Sequence, residues 1–63
     1  MGERYETMRQ YIWKHGWRPF KMQENGRTVL AWRNEKHNRQ CQDIEEAYGV
    51  TRLNVEVNKQ WET

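Results

Sequence analysis

The chain is predicted to be an α+β protein with elements in the order α-β-β-α-β. The expected architecture is a three-stranded sheet built on a central Asn-Gly hairpin, with two helices. Three observations carry this. Asn25-Gly26 lies between two extended runs in Arg18–Arg33, RPFKMQENGRTVLAWR, and Asn-Gly suits a type I′ turn, whose two central residues both need positive φ. Helical spacing recurs on either side, in Tyr5, Met8, Ile12 and His15 before the hairpin and His37, Cys41, Ile44 and Tyr48 after it. The stretch 51–58, TRLNVEVN, alternates with period two.

The first helix is expected over residues 3–15. Glu3 and Glu6 lie near its positive end and Lys14 near its negative end, which suits the helix dipole. Gly16 is a good stop. Arg18 precedes Pro19 and is pushed to an extended conformation, and Pro19 lacks an N–H, so this end of the strand belongs at an edge or at a strand start. A two-residue loop pairs Glu24 with Arg27 and sets the rest of the register. Phe20, Met22, Val29 and Ala31 then share one face, read as core. Pro19, Trp32, Lys21 and Leu30 share the other, read as a mixed basic and aromatic surface.

Asn34 is a candidate cap for the second helix, with Glu35 in its first turn and Gly49 as its stop. The last strand follows, with Leu53, Val55 and Val57 pointing one way and Arg52, Asn54 and Glu56 the other. If the second helix packs on the Phe20 face, this strand runs antiparallel to the first and pairs with it. The first helix has two places to go, beside the second or on the Leu30/Trp32 face. Residues 59–63 are expected to form a flexible tail.

The 63 residues form a single domain, 1–63, and a chain of this length buries only ~60% of its unfolded surface. One cysteine, Cys41, excludes an internal disulfide. A homodimer would supply the area that such a core lacks. Leu, Ile, Val and Phe number only nine, but four Trp and three Tyr add large apolar bodies and the net charge is only +2, so a folded domain is expected rather than disorder. No apolar run resembles a signal peptide or a membrane span. With the lone thiol, this points to the reducing cytoplasm.

Charge is distributed unevenly. Residues 9–39 hold eight Lys/Arg against two Glu, a balance of +6, whereas residues 40–63 carry −3. The excess positive charge therefore belongs to the hairpin and its flanks. His37 and Cys41, four apart, make half a metal site, and His15 is the only other histidine. Neither metal nor cofactor is expected. Acidic Asp43, Glu45 and Glu46 follow Cys41 closely and oppose a thiolate. No Ser/His/Asp set or glycine-rich phosphate loop is present, so no catalytic residue is assigned and the protein is expected not to be an enzyme.

What remains is a set of aromatics among cations. Trp17, Arg18, Lys21, Arg27, Trp32, Arg33 and Lys36 are the primary binding candidates, and Arg9, Trp13 and Lys14 the secondary ones. Cations meet phosphates and aromatic rings stack on bases, which suggests a small regulator that binds nucleic acid. The same residue types anchor protein interfaces. The alternative is therefore an inhibitor or adaptor of the kind carried by phages and mobile elements, docking on a host protein such as a nucleic-acid-processing enzyme.

Overall fold

A computed structural model describes residues 2–61. Helix α1 spans Gly2–Lys14, strands β1 and β2 span Trp17–Glu24 and Arg27–Asn34, strand β3 is Arg39–Cys41, and helix α2 is Ile44–Arg52. A single π-helical stretch, Leu53–Val57, continues α2. The protein is thus α+β, with two α-helices and a three-stranded antiparallel sheet in the order β1-β2-β3 among the described residues. No helix is long and apolar enough to cross a membrane among the described residues.

Strands β1 and β2 pair from Trp17 with Asn34 to Glu24 with Arg27. Between them Asn25 and Gly26 hold φ of 54° and 77°, the left-handed values that Asn tolerates and Gly adopts freely.

Both helices lie on one face of this sheet, and it is the face expected to be surface. The core joins Ile12 of α1, Trp17 of β1, Trp32 of β2, Cys41 of β3 and Ala47 of α2. Trp17, Trp32 and Cys41 share a face, since Trp17 pairs with Asn34, two residues beyond Trp32, and Trp32 pairs with Cys41. The face read as core, Phe20, Met22, Val29 and Ala31, has no helix on it. Area decides the choice: two indoles offer more apolar surface for burial than Phe20 with three smaller residues.

The second half of the chain departs from the expected order. Asn34 does not cap a helix. It ends β2, and its Oδ1 accepts from the His37 backbone N–H at 3.2 Å, closing a turn over residues 35–38. Asn38 at φ 53° stops any helix there, and Arg39–Cys41 return along β2 as the third strand. Asp43 caps α2 instead, its side chain accepting from the Glu45 N–H at 3.2 Å.

Gly49 does not end α2, which runs on through Arg52. The expected strand over 51–58 is helical. Its alternating Leu53 and Val57 are exposed and Val55 half-buried, while the buried positions are Ala47, Thr51 and Asn54. Those recur at i, i+4 and i+7, a helical stripe of small and polar residues. Large indoles fill the space beneath, so the helix presents small side chains to them. Of the expected tail, Trp61 packs against the core, and residues 62 and 63 lie outside the described residues.

Candidate nucleic-acid interface

Register places Arg18, Phe20, Met22 and Glu24 of β1 beside Arg33, Ala31, Val29 and Arg27 of β2 on the uncovered face. Gln40, paired with Arg33, shares it. Phe20, Met22 and Val29 are half-buried, and Ala31 is buried among larger neighbours. Gln42, just past β3, reaches across β2 to donate to Glu24 Oε2 at 2.8 Å.

Arg18 is held at the edge of this face. Its Nη1 donates to the carbonyls of Trp13 at 2.9 Å and Trp17 at 2.7 Å, so it closes the C-terminus of α1, where a cation suits the dipole. Its guanidinium lies 3.9 Å from the centre of the Trp13 ring, a cation–π contact. Trp13 is 43% exposed. Arg33 donates from Nη2 to Asn38 Oδ1 at 3.2 Å and from Nη1 to Gln40 Oε1 at 3.4 Å, which fixes its direction along the turn. A shallow hollow of about 250 Å³ is lined by these two arginines together with Phe20, Pro19, Gly16 and Lys36, with Glu35 as its one carboxylate.

The other candidates are dispersed. Trp17 and Trp32 are 0% and 3% exposed, so neither can stack on a ligand. Trp17 is a core residue whose Nε1–H donates to Thr51 Oγ1 at 2.7 Å. Lys21 is exposed on the helix-bearing side, beyond the reach of the core, opposite Leu30. Arg27 is exposed next to the hairpin loop. Arg9 is paired with Glu6 in a bidentate contact along α1. Lys14 and Lys36 are exposed and share a cleft at one end of the molecule with His15, His37 and Trp61.

His37 and Cys41 do not share a helical face, since one lies in a turn and the other in β3. Burial pushes the Cys41 thiol up, and Glu46 adds to that, so its reactivity as a nucleophile is low. Among the described residues no three His, Cys, Asp or Glu side chains cluster as a metal site would need. Glu56 accepts from the Tyr11 hydroxyl at 2.7 Å. Burial, then this bond, raises the Tyr11 phenol to about 12.

Three residues of this region carry roles that pattern reading missed. Phe20 is the aromatic ring on the open face. Asn34 is a buried clamp, donating from Nδ2 to the His15 carbonyl at 3.0 Å as well as holding the turn at His37. Trp61 stacks on His37, with ring centres 4.1 Å apart and planes 8° from parallel. The usable signal for Phe20 was the parity of Trp17 with Trp32, which marks the opposite face as the larger apolar one. No family model matches this chain, and neither do any curated protein or solved structure compared with it.

Proposed function

We propose that this chain is a small regulatory protein without catalytic activity that binds single-stranded nucleic acid on the uncovered face of its sheet. One observation carries the reading: an open sheet face holds Phe20 next to a cross-strand pair of positioned arginines, Arg18 and Arg33, with the Trp13 ring beside Arg18. A flat sheet with a half-buried ring at its surface can stack a base, and guanidinium groups beside it meet the flanking phosphates. Arg27 and Lys36 extend the positive surface to either end. A sheet face with a ring that can stack and cations beside it suits unpaired bases, so single strands are the expected ligand. A cytoplasmic setting, where such strands are met, suits the single cysteine.

The test is binding of a labelled oligonucleotide to the full chain, read by fluorescence anisotropy across salt. With four cations engaged, log affinity falls by about 3 for each tenfold rise in salt. Phe20→Ala weakens binding by roughly 1–3 kcal/mol, the value of one stacked base. Affinity that ignores both salt and Phe20→Ala overturns the reading.

A second reading has its own observation. Beyond the helices the hairpin carries half-buried Met22 and Val29 on one face and Leu30, 48% exposed, on the other. Such a surface suits a protein partner, as an inhibitor or adaptor docking on a nucleic-acid-processing enzyme would need. A partner captured from nuclease-treated lysate by the chain and lost with Leu30→Asp favours this reading over the first.

A further inference from the structure

The cleft at the end of the molecule is built from three separate parts of the chain. Lys14, His15 and Gly16 come from the end of α1, Lys36 and His37 from the β2–β3 turn, and Val55 and Trp61 from the C-terminal segment. Its volume is about 610 Å³, within the ~300–1,000 Å³ of small-ligand sites. None of these lining residues is a carboxylate. The two ion pairs among the described residues, Arg9–Glu6 and Arg52–Glu56, involve neither lysine.

The walls are fixed rather than loosely apposed. Asn34, fully buried, bonds the His15 carbonyl and the His37 N–H with the two ends of one amide. Gly16 holds φ 103°, and a Cβ there would come within 3.3 Å of Asn34 Oδ1. Trp61 is held by its stack on His37 and by its N–H to the Asn54 carbonyl at 3.3 Å. Gly16 and Lys36 also line the hollow beside Arg18, Phe20 and Arg33. The cleft and the open sheet face are therefore continuous round this edge.

We propose that the cleft takes the terminal phosphate of a strand lying on the sheet face, with Lys14 and Lys36 as its counter-charges. The inference rests on the nucleic-acid reading and specifies which part of the strand the protein recognises. An internal phosphodiester carries one negative charge. A phosphomonoester carries about −1.5 to −2 near neutral pH, and two ammonium groups in a cleft without carboxylates match it better. His15 and His37 add imidazole donors on the same walls.

The experiment compares three single strands of identical sequence on the full chain: one with a 5′-phosphate, one with a 3′-phosphate and one with hydroxyl ends. One phosphorylated strand is expected to bind about tenfold more tightly than the hydroxyl-ended strand, the scale of one charge-assisted hydrogen bond. Which of the two does so gives the polarity of the strand. Lys14→Ala removes the preference, and Lys14→Arg restores it. Equal binding of all three strands overturns the inference while the sheet-face reading stands. A preference that survives Lys14→Ala overturns the assignment to this cleft. If none of the strands binds, both readings fall.

Discussion

At Thr51 the core has room only for a small side chain, and that side chain has to be polar. Its hydroxyl accepts from the Trp17 indole N–H at 2.7 Å and donates to the Ala47 carbonyl at 2.7 Å. Trp17 is fully enclosed, so no water can replace this partner. Thr51→Val keeps the volume and leaves the indole N–H buried without an acceptor, at a cost of ~1–3 kcal/mol. Thr51→Ser keeps the acceptor and loses one methyl, about 0.8 kcal/mol. Urea unfolding followed by tryptophan fluorescence is expected to rank wild type above Ser and Ser above Val. A Val variant as stable as wild type would show that the indole does not depend on this hydroxyl. Among the described residues no buried side-chain polar atom lacks a partner, and Thr51, Asn34 and Asn54 account for much of that.

At the scale of elements, Gly49 distinguishes a helix that runs on from one that stops. It lies within α2, and nothing stands within 4 Å of where its Cβ would be. Gly49→Ala is therefore expected to stabilise the protein by ~0.5–1 kcal/mol by reducing backbone entropy in the unfolded chain. Gly16→Ala at φ 103° is expected to destabilise it. If Gly49→Ala also destabilises, measured by the same urea titration, the helix ends at Gly49 and the segment after it is not helical. The hairpin register was readable because it depends on adjacent residues: two turn residues fix every pair behind them. Which face of that hairpin is buried was not readable from alternation alone, since both faces carry apolar residues; the shared parity of Trp17 and Trp32 was the signal that separates them. Strand β3 has three residues and no apolar run, so its pairing with β2 is the work of tertiary contact and of the Asn38 turn. Residues 51–58 alternate in hydropathy yet bury Asn54 and expose Val57 at 68%, because shape complementarity to the indoles outweighs hydropathy there. Of the candidate site, the cations were legible from charge. Their division between the open face, the end cleft and the helix surface needed the strand register and the path of the turn.

The whole molecule is a slab, 38 × 28 × 15 Å between Cα extremes, with both helices on one side. Its two ends differ. The hairpin tip extends beyond the core, whereas the opposite end gathers the close of α1, the β2–β3 turn and Trp61 around His15 and His37. This arrangement couples the fold to pH. Burial, followed by Lys14, lowers the His15 pKa, with Lys36 and His37 acting in the same sense, Glu56 opposing them and the Tyr11 ring 4.8 Å away. Burial, then Lys36 and Arg39, lowers His37, whose ring stacks on Trp61. Both histidines are thus easier to protonate in the unfolded chain than in the folded one. Where the unfolded state binds more protons, stability rises with pH. Their contribution is therefore complete above the unfolded value of 6.5 and is lost as pH falls through the lower folded values. The paired Glu6 and Glu56 also have lowered values, but their contribution fades only below about 4.5, so the two windows separate. Thermal melts taken from about pH 7.5 down to about pH 5.5 are expected to show a falling Tm. His37→Phe keeps a flat ring against Trp61 without a titrating group, and its Tm should fall less over the same range. A wild-type Tm that stays constant from pH 7.5 to 5.5 would mean that neither histidine is held neutral by the fold, and that this end of the slab is more open to water than its packing shows.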